Sequence, residues 1–170
     1  MKKIAVFGKP GGGKSTFSKK LSIATGIPVY PLDMIAYHPN GTKVSAEQYR
    51  QAHDQLLSYD RWIIDGLGSL DSFWSRIERA DTIVLIDLPY RVHYWWATKR
   101  LLTSIFISPE GWPEGSSVLK GTWASWKYLR LSSRFWTPEL WEKIKTRAKT
   151  DNIYRITSVD ELNQFIGKLS

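Results

Sequence analysis

Cysteine is absent from this 170-residue chain, which removes disulfides, zinc–thiolate sites and cysteine nucleophiles together. Only three histidines occur, His38, His53 and His93. They are scattered without ligand spacing, so each reads as a surface or capping residue rather than a metal ligand. Long apolar runs are missing as well. The opening "MKKIAVFG" is basic then apolar, like a leader, but its apolar run, Ile4 to Phe7, is four residues long and breaks at Gly8 and Lys9, so no leader core is expected. The later stretch "RLLTSIFIS" is too short to span a bilayer. The expectation is a soluble cytoplasmic protein with no membrane partner.

Aspartate is missing from residues 91–149, which hold eleven Lys/Arg against four Glu and so carry +7 of the whole chain's +8. Seven of the nine tryptophans, Trp95, Trp96, Trp112, Trp123, Trp126, Trp136 and Trp141, sit in the same segment. A basic, aromatic segment attracts polyanions: nucleotides, nucleic acid or anionic lipid. The competing reading is a solvated helical face over a tryptophan-rich core.

At this length and 42% apolar content the chain closes one core, a single domain over 1–170. Short apolar runs ended by turn residues predict five strands: "KKIAVFG", "IPVYPLD", "RWIIDG", "DTIVLIDLP" and "NIYRIT". Between them "KSTFSKKLSIATG", "VSAEQYRQAHDQLLSYD", "LDSFWSRIERA" and "YRVHYWWATKRLLTSIF" read as helices, and "MIAYHPNGTK" and "SPEGWPEGSS" as loops. Two further helical stretches cover 121–133 and 138–149. The last helix, "SVDELNQFIGKL", opens on Ser158 with Glu161 three positions on, a capping-box pattern. Strands alternating with helices predict an α/β fold of three layers, a five-stranded parallel sheet with helices on both faces. Ligands of such sheets bind beyond the carboxyl ends of the strands. Gly8, Asp33, Asp65, Asp87 and Thr157 all follow predicted strands and should line that one edge.

One stretch carries chemistry on its own. "GKPGGGKS", Gly8 to Ser15, satisfies the phosphate-loop pattern G-x-x-x-x-G-K-[ST], with an apolar strand before and an amphipathic helix after. Gly8, Gly11, Gly12 and Gly13 let the backbone adopt positive φ and approach a ligand. Loop N–H groups and the helix N-terminus then converge on phosphate. Lys14 bridges the β- and γ-phosphates and Ser15 holds Mg²⁺ in this reading, so the implied cofactors are ATP and Mg²⁺ and the fold is of the P-loop NTPase kind. A glycine hinge is the bland alternative.

"GKPGGGKST" resembles the loop of adenylate kinases and related nucleoside monophosphate kinases, and "WIIDG" the strand before their Asp-Gly. An ordered set, "GIPVYPLD", "DRWIIDG", "RIERADTIVLIDLP", "TKRLL", "WKYLR" and "IYRITSVDELNQFI", resembles the adenylate-kinase-like proteins labelled DNA topology modulation (FlaR-like) over nearly the full length. The resemblance implies a phosphotransferase whose nucleotide touches Gly8, Lys9, Pro10, Gly11, Gly12, Gly13, Lys14, Ser15, Thr16 and Thr157. It implies that Asp65 holds waters around Mg²⁺ and that Asp33 orients the acceptor or takes its proton. Asp87 is either a Walker-B-like metal carboxylate or a brace of the sheet edge. Residues 103–149 correspond to a helical lid. Arg100 falls on an arginine that binds ATP phosphates, and Trp96 falls where an arginine stacks on adenine. Lys127, Arg130 and Arg134 share one helical face by spacing. Arg130 and Arg134 there neutralise a transferring phosphoryl group, or else form a solvated face. The kinases continue Asp-Gly with Phe-Pro-Arg, and FlaR-like chains commonly with Asn-Tyr; here Leu67-Gly68-Ser69 follows. Their acceptor contacts therefore do not carry over. Arg76 either supplies the missing basic group or pairs at the surface with Glu78 or Asp71.

Two rivals stand beside a small-molecule kinase with an unidentified acceptor. "DGLG" at 65–68 fits the D-x-x-G of GTPases, with "AKTD" at 148–151 a near miss for their guanine-reading motif. The basic segment and the family label suit an ATP-hydrolysing, nucleic-acid-associated regulator, although those charges are accounted for by closing over a triphosphate.

Overall fold

A computed structural model of the chain describes residues 1–104 and 126–168, without the side chains of residues 100, 101, 103 and 104. The loop "SPEGWPEGSS", Trp112, Trp123, much of the 103–149 segment and the Arg100 side chain lie outside the described residues.

Five strands form one parallel sheet: β1 (Lys3–Gly8), β2 (Val29–Pro31), β3 (Trp62–Asp65), β4 (Thr82–Ile86) and β5 (Ile153–Ile156), in the order β2-β3-β1-β4-β5. The glycine-bearing β1 is central, so both its faces are buried, and its side chains divide by strand alternation. Ala5 and Phe7 join one core with Trp62, Ile64, Phe73, Ile77, Ile83, Leu85 and Ile144. Ile4 and Val6 join the other with Phe17, Leu21, Ile63, Val84, Ile86 and Ile156. Each buried Ile, Leu, Val or Phe among them contributes about 1.5–3 kcal/mol by leaving water. The first core is covered by α3 (Ala46–Ser58), α4 (Leu70–Arg79) and α7 (Pro138–Arg147). The second is covered by α1 (Lys14–Thr25), α8 (Val159–Gly167) and the first half of α5 (Tyr90–Ser104). This is the expected three-layer α/β architecture. No described helix is long and apolar enough to cross a membrane.

Three local details differ from the sequence reading. "MIAYHPNGTK" is not all loop: Asp33–Ala36 makes one helical turn, α2, because the Leu32 carbonyl accepts from the N–H groups of Ile35 and Ala36. The reciprocal capping box forms at Ser45 and Gln48 of α3. At α8 the Ser158 hydroxyl accepts from the Glu161 N–H as expected, but the Glu161 carboxylate reaches one residue further back, to the N–H and hydroxyl of Thr157. Among the tail's basic residues, a helix over 126–132, α6, ends before Arg134. The Arg134 N–H closes a turn on the Leu131 carbonyl, so the helical face expected for Lys127, Arg130 and Arg134 stops short of the last of them.

Candidate active site

The loop between β1 and α1 is shaped by close neighbours on two sides. Gly8 ends β1 at φ 149, and a Cβ there would run into the Ile86 carbonyl of the paired β4. Gly11 and Gly13 adopt left-handed φ of 70 and 73, and Gly13 opens α1 as its N-cap without a side-chain cap. The first N–H groups of α1 therefore have no capping side chain, which leaves the positive end of the helix facing the loop. Lys14 Nζ lies 2.9 Å from the Lys9 carbonyl oxygen. The backbone is curled round the lysine that the motif assigns to phosphate.

Asp65 ends β3 on the same sheet edge and is 4% exposed. It accepts a hydrogen bond from the Ser15 hydroxyl, while its Oδ1 is buried with no hydrogen-bond partner among the described residues. Burial pushes its carboxyl above the usual range, against the pull of the nearby Lys14 ammonium; Asp33 adds to the upward push. That field brings Asp33, Lys14, Ser15 and Asp65 into one neighbourhood. Asp33 itself is exposed, at the start of α2. The arrangement fits a magnesium nucleotide on three counts. Left-handed glycines open the loop, an ammonium sits inside it, and a buried carboxylate beside a serine hydroxyl keeps one oxygen in reserve for a hydrated cation.

Asp87 and Lys9 are placed differently. Lys9 is buried and donates to Asp87 Oδ1 and, at 3.3 Å, to the Leu88 carbonyl, with its ammonium 4.4 Å from the centre of the Tyr90 ring. Asp87 Oδ2 accepts from Arg155 Nε at 2.8 Å. Both oxygens are thus held by cations, and of the two open readings the brace is the one this geometry suits. Lys9 offers the loop its backbone, since its charge is spent on Asp87. Thr157 is exposed, with N–H and hydroxyl held by Glu161. Arg130 and Arg134 are exposed on and just beyond α6. Gly12 is buried and Pro10 partly so, while Ser15 and Thr16 face solvent. Beside Gly13 and Thr16 runs an open groove of about 300 Å³, walled by Trp96 and by Val159, Leu162 and Ile166 of α8.

Sequence reasoning misplaced three groups. Arg76 is neither a surface ion pair nor a group presented to solvent: it is fully buried. Its guanidinium donates to the carbonyls of Gly66 (2.6 Å), Leu67 and Ser72 (3.0 Å) and lies 4.8 Å from the Phe7 ring centre. Burial pulls its pKa down to about 10. His53 and His93 are buried rather than surface or capping residues, and burial pushes both down to about 4. The available signal was spacing: His93 stands three residues before Trp96 and Arg76 three after Phe73, each on the apolar side of its helix. The "AKTD" stretch lies at the amino end of β5, where the Thr150 hydroxyl donates to the Asp81 carbonyl before β4. It is therefore at the edge opposite the glycine loop, too far round the sheet to read a base bound there.

A parallel sheet with this glycine loop after its central strand and an aspartate at the end of the neighbouring one is a three-layer fold of the P-loop NTPase kind. Solved structures of that fold superpose over nearly the whole chain. A shikimate kinase from Bacteroides thetaiotaomicron matches with a TM-score of 0.56 at 15% identity, covering 98% of this chain and 94% of that one. A shikimate kinase from Acinetobacter baumannii, solved with shikimate, gives 0.55 at 14% over 99% and 90%. A gluconokinase from Sinorhizobium meliloti gives 0.53 at 15% over 99% and 89%. No protein-family model and no curated protein sequence matches the chain.

Proposed function

We propose that the protein is a small-molecule kinase that transfers the γ-phosphoryl group of MgATP to a hydroxyl or phosphate acceptor. The observation that carries this reading is the single neighbourhood of Lys14, Ser15 and the buried Asp65, whose Oδ1 has no hydrogen-bond partner among the described residues, beside a left-handed glycine loop. In this reading the loop N–H groups and Lys14 bind the β- and γ-phosphates. Ser15 and Asp65 hold Mg²⁺, which supplies charge neutralisation at the phosphoryl group. Asp33 faces the acceptor, positioned to orient it or take its proton. Arg130 and Arg134 belong to the 103–149 segment, read as the lid of a single 1–170 domain, and Arg100 stands just before it; all three are assigned to the phosphoryl group in this reading. Trp96 walls the groove beside the loop and offers a flat face to the base. Asp87 braces the loop through Lys9.

The finer subtype in this reading is adenylate-kinase-like, of the FlaR-like kind. It rests on the ordered sequence resemblances. The structural neighbours point the acceptor search toward hydroxylated carboxylic acids of the shikimate and gluconate kind as well as nucleoside monophosphates. A nucleic-acid partner is the lesser reading, motivated by the +7 segment. A salt-insensitive absence of gel shift removes it. The test of the main proposal is an ATP-consumption screen against those acceptor pools, with and without Mg²⁺, on wild type and Lys14→Ala. The wild type should turn over one acceptor class, and Lys14→Ala should lose at least about a hundredfold to a thousandfold of that rate while keeping its fold. Turnover in Lys14→Ala equal to wild type refutes the role of the loop.

A further inference from the structure

The outer wall of the glycine loop is made by α5. A Cβ on Gly12 would come within 2.6 Å of His93 Cε1 and 3.1 Å of its Nδ1, and one on Gly13 within 2.8 Å of the Trp96 ring. Gly11 lies against the His93 carbonyl. Part of the glycine requirement here therefore comes from the helix behind the loop and not from the ligand in front.

His93 does more than fill that space. Its Nδ1 lies 2.9 Å from the Pro10 carbonyl oxygen. A carbonyl can only accept, so Nδ1 carries the proton. Nε2 is then the unprotonated nitrogen, buried and without a hydrogen bond of good geometry among the described residues, with the Leu88 backbone also acting on the ring. Peptide units are planar and trans, and no cis bond occurs among the described residues. Drawing the Pro10 carbonyl toward α5 thus turns the N–H of the same peptide unit, that of Gly11, away from α5 and toward the open side of the loop. No hydrogen bond of the Gly11 N–H is present among the described residues. The preceding carbonyl, that of Lys9, is held by Lys14, so two successive carbonyls of the loop are pinned by side chains.

We propose that His93 is a positioning residue of the phosphate site: as the Nδ1–H tautomer it fixes the Pro10–Gly11 peptide so that the Gly11 N–H is aimed at bound phosphate. The proposal rests on reading the loop as a phosphate site. It goes beyond that reading in assigning the loop's orientation to a residue 83 positions away in sequence. Asparagine places an N–H donor where Nδ1 stands, glutamine carries its amide one carbon further out, and leucine has no donor at all. These three substitutions separate the hydrogen bond from the packing.

The test uses the full-length chain, MgATP and inorganic tripolyphosphate as probes, calorimetric titration for affinity, and amide NMR with Gly11 assigned. A melting curve for each variant measures its packing cost. His93→Asn should bind both probes within about twofold of wild type. His93→Gln and His93→Leu should each weaken both by about tenfold and lose the shift of the Gly11 amide on binding. Tripolyphosphate affinity in His93→Leu equal to wild type overturns the proposal. Losses that follow the drop in melting temperature alone, alike in Asn, Gln and Leu, overturn it too. Where variants do not fold, the wild type still decides: an Nε2–H tautomer by imidazole ¹⁵N shifts, or a Gly11 amide that does not move on adding tripolyphosphate, overturns it. A wild type that binds neither probe removes the phosphate reading and this inference together. A wild type that binds while the variants match it removes only the role of His93.

Discussion

The two glycine-bearing turns at the carboxyl edge of the sheet are built on opposite plans. In the phosphate loop the carbonyls of Lys9 and Pro10 are held by Lys14 and by His93 of α5, and the glycines are crowded from outside by Ile86, His93 and Trp96. In the turn after β3 the carbonyls of Gly66 and Leu67 are drawn down onto one buried guanidinium, Arg76 of the following helix. Gly68 there adopts φ 67 beneath the Tyr49 hydroxyl and the Leu32 side chain. The first turn has an ammonium inside it and suits a polyanion of fixed shape. The second has its cation underneath, out of contact with solvent, and presents Leu67, Gly68 and Ser69 as an exposed, uncharged rim. The two turns therefore differ by where the positive charge lies and not by glycine count.

Arg76 is the strongest point at which to break this comparison. Replacing it by methionine keeps much of the volume but takes the guanidinium from the carbonyls of Gly66, Leu67 and Ser72. The expected loss is about 3–5 kcal/mol by chemical denaturation. If the two turns are independent, tripolyphosphate binding by the folded fraction should stay near wild type while the KM for the acceptor rises. Equal losses on both sides would merge the two turns into one unit.

Asp65 joins the two turns, since it ends β3 and receives the Ser15 hydroxyl. Its carboxyl is raised by burial, so the charged form costs stability that is absent while the group is protonated. That cost appears as pH rises from the ordinary carboxylate range through the folded value. Asp65→Asn should therefore raise the melting temperature at neutral pH, with the gain fading toward pH 4, and should abolish Mg²⁺-dependent turnover. A lower melting temperature at pH 7 would mean that the Ser15 bond outweighs burial.

The phosphate loop was legible because its demands are local. Eight consecutive residues fix the backbone, the lysine and the serine, and the strand and helix flanking them are each readable from a short window. The five-stranded parallel sheet followed from the alternation of five such windows with helices, and its strand order is seen only in the structure. Asp33 and Asp65 were legible by position alone, as residues just past strands. What the sequence could not reveal is long-range pairing. Lys9 finds Asp87 across 78 residues, and His93 finds Pro10 across 83. Arg76 looks like any charged residue on an amphipathic helix until the turn before that helix folds back over it. Charge on a helix is ordinarily solvated, so spacing puts Arg76 on the apolar side of its helix but does not reveal the backbone carbonyls that hold it.

The histidines test the two regions together. His53 stacks on Tyr49 beside the second turn, with ring centres 6.1 Å apart, and His93 lies behind the first. Both are held at about 4 against an ordinary 6.5, mainly by burial, with positive neighbours pushing the same way: Arg76 and Arg79 at His53, Lys9 and Lys14 at His93. The neutral ring is the folded form. Its stabilisation is complete above about pH 6.5 and is lost as pH falls from there toward about 4. The steepest loss is about 1.4 kcal/mol per pH unit for each ring. Melting temperature should therefore fall through that window, and His53→Gln should remove roughly half of the slope. An unchanged slope would place the acid sensitivity elsewhere.

The smallest expected effect is also the most selective. Ser45 caps α3 reciprocally with Gln48, its hydroxyl accepting from the Gln48 N–H at 3.1 Å. The next residue of that first turn, Tyr49, reaches the Ser72 hydroxyl at 3.1 Å, over Gly68. Ser45→Ala should cost about 1 kcal/mol, a shift of roughly 2–4 °C for a chain of this size. Fraying that turn loosens the lever by which α3 holds the second turn, and no described hydrogen bond connects it to the phosphate loop. Acceptor KM should rise by a factor of about two to five, commensurate with that energy, while tripolyphosphate affinity stays put. A change in tripolyphosphate affinity instead would show that the caps of the sheet's far layer reach the phosphate loop, and that the two turns are one mechanical unit despite their different charge plans.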